Sequence, residues 1–241
     1  MMRLDKLLSN SGVGTRKEVK ALLKKKHVKV NDLIIKDGSK YINPEKDIIK
    51  VNEEIVYYQK YIYLMLHKPS GCISATVDKQ EKTVIDLLGK ELQHYKPFPV
   101  GRLDKDTEGL LLLTNDGELA HQLTSPKKDI EKVYYAKIEG RVTAEDVKAF
   151  EEGIILDDGY QAKSAQLRII AQDEISEIEV TVTEGKFHQV KRMFEAVDKK
   201  VIYLKRIRMG NIILDDTLKR GTWRELSESE KEYCLSLKSG G

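Results

Sequence analysis

Residues 101–117 read GRLDKDTEGLLLLTNDG. Arg102, Asp104, Lys105, Asp106 and Glu108 run directly into the apolar stretch Leu110–Leu113. Four leucines followed by Asn115-Asp116-Gly117 predict a buried strand stopped by a turn. The carboxylates at 104, 106 and 108, with Gly109 behind them, also match the opening of a calcium loop. Such a loop should end in a bidentate Glu at its twelfth position, and should lead into a helix. Here that position is Asn115 and the continuation is strand-like, which argues against calcium. Two readings remain open on spacing alone. The segment is a solvated turn between strands, or one carboxylate is held for chemistry at the edge of a core, where clefts form.

The rest of the chain narrows the field. It has 241 residues, 40% hydrophobic and 34% charged, enough for one large or two modest domains with a sizeable core. No apolar run approaches the roughly 18 residues that cross a bilayer. The first ten residues, MMRLDKLLSN, lack a signal-peptide core, so a cytoplasmic protein with no membrane partner is expected. Cys72 and Cys234 form no CxxC pair, and His27, His67, His94, His121 and His188 show no metal spacing. There is also no P-loop and no GxGxxG. The net charge of +3 is uneven: residues 1–60 hold 14 Lys/Arg against 8 Asp/Glu, and the remainder is slightly acidic. A basic end on a near-neutral body suggests a small polyanion-binding module on a larger domain.

Within that basic end, Leu4, Leu7 and Leu8 have helical spacing, and a turn follows at Ser11–Gly14. Thr15-Arg16-Lys17-Glu18 is a capping box for a second helix with an apolar stripe of Val19, Leu22 and Leu23. Arg16, Lys17, Lys20 and Lys24–Lys26 supply its charge. VKVND then alternates as a strand with a turn at Asn31-Asp32, and LIIK and DIIKV are β-like. This order resembles the S4 RNA-binding domain over roughly residues 2–50. It departs where that family usually has glycine: near Lys26 at the helix end, and after the Val-Asn pair, here Asp32. The resemblance implies RNA as partner, with Arg3, Arg16, Lys17 and Lys20 as contacts. Residues 52–60 lack core periodicity and are expected to be linker, giving domains 1–59 and 60–241.

From residue 61 onward, YIYLMLH, LLLLT, VYYAKIEG, ISEIEVTVTEG, VIYLKRIRMG and NIILDD read as strands. Helices are expected through Leu119 and Leu123, over TAEDVKAFEEG with Thr143 as N-cap, and over KFHQVKRMFEAV. In the last, Phe187, Val190, Met193, Phe194 and Val197 would form the apolar stripe. The expected fold is α+β, with a mixed, mainly antiparallel sheet.

GRLDKDTEGLLLLTNDG resembles the signature of the RsuA/RluB branch of pseudouridine synthases. LHKPSG, EKVYYAKIEG, EGKFHQVKRMFEAV and the following Leu204-x-Arg206 resemble its other motifs, in the expected order. An S4 domain is the usual N-terminal partner of this catalytic fold. The resemblance implies conversion of uridine to pseudouridine in ribosomal RNA, without metal or cofactor, by a monomer acting on the RNA or on a subunit assembly intermediate. Asp104 is then the essential aspartate. Whether it attacks the base, attacks the ribose or removes a ribose proton stays open. Burial disfavours a charged carboxylate and a neighbouring cation offsets that. The family's basic residue for this purpose falls at Lys191, where many relatives carry arginine. Lys-x-Tyr selects Tyr134 to stack on the target base. Tyr135 must point to the opposite face of its strand. Arg102 would help to hold the flipped nucleotide's place or its phosphate, and Leu204 would pack under the base. His188 and Gln189 are expected to be structural, and Asp106 and Glu108 to support the loop. Around Ser74–Asp78 and Thr83–Asp86 the chain lacks the Arg-rich stretch of the large-subunit branch, which favours 16S over 23S rRNA. A catalytically silent assembly factor on the same fold is the alternative from another class. Retention of Asp104, Tyr134 and a basic residue at 191 argues against it.

Overall fold

The computed structural model describes residues 1–239. The chain divides into two compact units, one built from Met1–Ile62 and Leu88–Pro97, the other from Tyr63–Leu87 and the residues from Phe98 onward.

In the first unit, β1 (Met2–Arg3) leads into α1 (Leu4–Asn10) and α2 (Arg16–Lys24), followed by β2 (Val28–Val30), β3 (Leu33–Ile34), β4 (Tyr41–Ile42), β5 (Ile49–Val51) and β6 (Glu54–Ile55). Strands β3-β2-β5-β6 form one antiparallel sheet, and β1 pairs with β4. The helices exist because Leu4, Leu7, Leu8, Val19 and Leu23 bury one face each against Val28, Ile42 and Ile49. Each fully buried leucine contributes about 1.5–3 kcal/mol. The Thr15–Glu18 capping box is formed in both directions and starts α2. At the other end Lys26 adopts φ 63°. Its N–H donates to the Leu23 carbonyl and the His27 N–H to the Leu22 carbonyl, the pair of bonds that closes a helix through a left-handed residue. A lysine thus does the work of the usual glycine. Lys26→Gly is expected to stabilise the protein by about 0.5–1 kcal/mol, since a side chain in this conformation is strained; chemical denaturation measures it. Asn31 and Asp32 (φ 49° and 62°) make the β2–β3 turn.

The hairpin β5–β6 turns at Asn52-Glu53, both with positive φ, and Val56 and Tyr58 pack on the first unit's core. Residues 52–58 are therefore folded structure, not the expected linker. Glu53 in a left-handed turn and a two-residue strand give no period to read. The division by compactness falls after Ile62, and it gives the first unit a second segment containing α3 (Lys90–Gln93).

The second unit contains β7 (Tyr63–Lys68), β8 (Phe98–Pro99), β9 (Glu108–Thr114), α4 (Gly117–Thr124), β10 (Lys132–Glu139), α5 (Ala144–Glu152), β11 (Gln166–Ala171), β12 (Ile175–Val182), α6 (Gln189–Glu195), β13 (Lys200–Met209), β14 (Ile212–Ile213), β15 (Trp223–Glu225) and α7 (Glu228–Ser239). The sheet order is β11-β12-β10-β13-β9-β7-β15, with β14 beside β13 and β8 beside β9. Among the described residues every strand-to-strand ladder is antiparallel except β9 with β13, where Glu108 faces Lys205 and Gly109 faces Arg206. That parallel seam joins two antiparallel halves, each with its own core. Phe150, Ile178, Val180, Met193 and Phe194 fill one; Met65, Leu110, Leu112, Leu119 and Cys234 fill the other. The fold is the expected α+β arrangement around a mixed, mainly antiparallel sheet.

One expected helix begins late. His188 is left-handed (φ 49°), so α6 starts at Gln189, and Phe187 lies outside it, 71% exposed and stacked on the His188 ring. The hydrophobic spacing of Phe187 with Val190 fits a helix, but the Gly185–His188 loop takes the chain elsewhere.

Candidate active site

The quoted stretch enters β9 at the parallel seam, and its loop is held from below. Lys68 ends β7 with no exposed surface, and its ammonium donates to the carbonyls of Asp104 (3.0 Å), Lys105 (3.2 Å), Thr107 (2.8 Å) and Pro69 (3.1 Å). Ser74 Oγ donates to the Leu103 carbonyl at 2.9 Å and accepts from the Leu103 N–H at 3.0 Å. The Gly71 N–H donates to the Lys105 carbonyl. The LHKPSG segment is thus the clamp on the Asp104 loop, which ties these two motifs together across some 36 residues.

The Asp104 carboxylate is part exposed at the wall of a cleft of about 570 Å³. Lys191, from the first turn of α6, stands 3.2 Å from one of its oxygens, and His188 Nε2 is 3.6 Å from the other. Lys191 also donates to both oxygens of Asp106, at 2.7 and 2.9 Å. Burial works against the charge on Lys191, but Asp106 and Asp104 together outweigh it and hold its pKa above the ordinary lysine value. Burial opposes the charge on Asp106 as well; there the Lys191 hydrogen bond prevails and the pKa falls below the usual carboxylate range. Lys191 is therefore a shared cation between two aspartates, which fixes its position more firmly than one partner would. Glu108 turns away, accepting from Tyr203 at 2.7 Å and pairing with Arg220 at 3.1 Å. The three acidic side chains do not converge, as calcium would require.

The cleft floor is the sheet itself. Tyr134 on β10 lies opposite Arg206 on β13, and Lys132, Tyr134, Leu204 and Arg206 share one face. Tyr135 takes the other face and donates to Glu177 at 2.7 Å. Arg102 lines the cleft and is exposed, while Leu204 is buried. Arg102, Asp104, Tyr134, Lys191 and Leu204 are thus gathered around adjoining parts of one cleft. In the first unit, Arg16, Lys17 and Lys20 stand exposed on α2, whereas Arg3 is paired with Asp5 at 2.6 Å. Gln189 is held by structure: its amide donates to Glu184 at 2.6 Å and its oxygen accepts from the Lys186 N–H, closing the loop before α6.

The sequence patterns assign no site role to Lys68, Lys132 or Arg206, and they place His188 and Phe187 in a helix. A lysine ending an apolar strand just before proline was a signal for the first. Burial pushes both Lys68 and Lys132 down to about 8 from 10.5. With folded-state values below the unfolded one, the unfolded chain binds more protons between these pH limits. Stability is therefore expected to rise with pH from about 8 to about 10.5 through these two groups. Denaturant titrations across that window should show a shallower rise for Lys132→Met.

Comparisons with known proteins identify the family. Residues 62–196 match the family model described as RNA pseudouridylate synthase, and residues 2–55 match the S4 domain. The chain is 48% identical to the uncharacterized RNA pseudouridine synthase YtzG of Bacillus subtilis, over 95% of this chain and 96% of that one. It is 40% identical to ribosomal small subunit pseudouridine synthase A of Vibrio cholerae (95% and 97% covered) and 38% identical to ribosomal large subunit pseudouridine synthase B of Bacillus subtilis (100% and 98%). Among solved structures, a pseudouridylate synthase superposes with a TM-score of 0.68 at 35% identity, covering 97% of this chain and all of that one. With an S4 domain ahead of a synthase domain, and with relatives of this similarity along its whole length, the chain belongs to the RNA pseudouridylate synthase family, in its RsuA/RluB-type branch.

Proposed function

We propose that the protein isomerises one uridine of 16S ribosomal RNA to pseudouridine, with Asp104 as the essential carboxylate. The observation that carries this reading is the Asp104–Lys191 pair in a cleft whose floor presents Tyr134. The reaction breaks N1–C1′ and forms C5–C1′; C5 gives up its hydrogen and N1 gains one. No atom is gained or lost overall, so a carboxylate that moves protons or forms a transient bond suffices. In each version Asp104 acts as the anion, and Lys191 supplies the opposite charge that keeps it in place. Tyr134 offers a ring for the extruded base, with Leu204 beside it, and Arg102 stands at the rim for the RNA backbone.

The substrate assignment rests on the loop beside the cleft. Ile73, Ser74 and Ala75 line the site, and the following residues run through Glu81, which pairs with Lys105. This loop carries no arginine, unlike the large-subunit branch. The small- and large-subunit relatives are about equally similar overall, so the local loop outweighs whole-chain identity. The unit of Met1–Ile62 with Leu88–Pro97 would serve as the RNA-binding module and the second unit as the catalytic domain, acting as a monomer in the cytoplasm on the RNA or an assembling subunit.

Mapping pseudouridine in both ribosomal RNAs, with and without the protein, tests the assignment. One site lost from 16S RNA supports it; a site lost from 23S RNA moves the substrate to the other subunit. For the basic helix, replacing Arg16, Lys17 and Lys20 together by Gln should weaken RNA binding. It should reduce the slope of log K against log salt by about 2–3, since each lost phosphate contact removes roughly 0.7–0.9. An unchanged slope would rule these residues out as phosphate contacts.

A further inference from the structure

The cleft floor holds two cations that the roles above leave unused. Arg206 is 3% exposed; its Nε donates to the Leu110 carbonyl at 2.8 Å, and its buried Nη2 has no partner. Lys132 is 7% exposed and its ammonium has the Thr183 carbonyl at 3.1 Å. Both line the cleft. The carboxylates that act on Lys132, Asp129 and Glu184, are committed elsewhere: Asp129 pairs with Lys163 at 2.7 Å, and Glu184 accepts from Tyr160, Gln189 and the Lys163 N–H. Burial disfavours the Lys132 charge, and Arg206 repels it further. Two buried cations side by side without a paired carboxylate cost stability unless an anion arrives to use them.

Their place says what that anion is. Arg206 lies directly across the strand pair from Tyr134, and Leu204 precedes it on the same face. A base resting between Tyr134 and Leu204 therefore has its edge over Arg206 and Lys132. A backbone phosphate would lie at the rim, where Arg102 is exposed and Lys105 is paired with Glu81, rather than over the buried floor.

Resting on the function proposed above, we infer that Arg206 and Lys132 form an oxyanion site for the uracil ring, stabilising negative charge on its carbonyl oxygens during the reaction. Each route open to Asp104 drives an electron pair into the base. If the ribose is attacked or loses a proton, the N1–C1′ pair leaves with the uracil and spreads onto O2 and O4. If Asp104 adds to C6, the C5–C6 π pair moves onto O4. The same two cations serve either route, and preorganised donors of this kind act where water is excluded. The detached or saturated ring is then held while it turns, and C5 is presented to C1′.

The test uses full-length protein, ribosomal RNA labelled with [5-³H]uridine, and single-turnover tritium release from C5. Lys132→Met should lower the rate about 10²–10³-fold, with RNA affinity and its salt slope within twofold of wild type. Its melting temperature at pH 7 should not fall, because the variant removes an uncompensated buried charge. Lys132→Arg should recover part of the rate. Arg206→Lys, which keeps a charge but loses the fork, should show a smaller loss of the same kind. An unchanged rate in Lys132→Met overturns the proposal. So does a loss that appears as weaker RNA binding with a shallower salt slope, which would assign the site to a phosphate, or a loss that tracks melting temperature alone. No tritium release by the wild-type protein from either ribosomal RNA would instead defeat the proposed function itself.

Discussion

Replacing Asp104 with Asn is expected to abolish pseudouridine formation, by on the order of 10³-fold or more, while RNA affinity stays near wild type. The amide keeps the shape of the side chain but can neither act as a base nor carry the charge that Lys191 faces at 3.2 Å. Lys191 retains Asp106 as a partner at 2.7 Å, so the loop should not collapse. The main-chain clamp by Lys68 and Ser74 also does not involve the carboxylate. Fold and binding should therefore survive, and the loss should fall on the chemical step. Single-turnover rate and equilibrium RNA binding, measured on the same preparation, separate the two. A variant with near-wild-type rate would remove Asp104 from the chemistry.

The second large effect is expected at Gly109. It has φ +104° and lies opposite Arg206 on the parallel seam. A Cβ placed there would sit 2.2 Å from the Arg206 carbonyl oxygen. The carbonyl cannot give way, because it is main chain in the middle of the sheet. Gly109→Ala should thus cost about 4 kcal/mol or more, in the range of the severest single substitutions. It should also displace the Asp104 loop and Arg206 together. Chemical denaturation reads the first effect and the tritium assay the second. A destabilisation below about 1 kcal/mol would show that the seam opens more readily than its geometry implies.

These two residues mark what the sequence could and could not tell. The Leu110–Leu113 strand, the Thr15–Glu18 cap and the Asn115-Asp116-Gly117 stop are local patterns, legible from period and turn chemistry. The opposite facing of Tyr134 and Tyr135 followed from strand alternation. The parallel pairing of β9 with β13 was not legible, since it joins segments almost a hundred residues apart. Gly109 reads in the sequence only as the glycine of an incomplete calcium loop; what demands it is the Arg206 backbone. Lys68 stands out as a lysine ending an apolar strand before proline, but what it clamps is not legible. Its acceptors are carbonyls, which carry no side-chain signature. Lys132 and Arg206 stood within matched motifs, but spacing gives no sign that both are buried and lack a paired carboxylate. His188 was hidden by its backbone: a left-handed residue before α6 turns it toward Asp104 and swings Phe187 out of the helix.

Pseudouridine formation in ribosomal RNA is assigned above to the Asp104 cleft. Because C5 must lose its hydrogen when it becomes the glycosidic carbon, tritium release from [5-³H]uridine-labelled 16S and 23S RNA reads the reaction directly. The predicted result is release equivalent to one uridine per 16S molecule with wild-type protein, and none with Asp104→Asn. Equal release by the two proteins, or none from either RNA, would contradict the account.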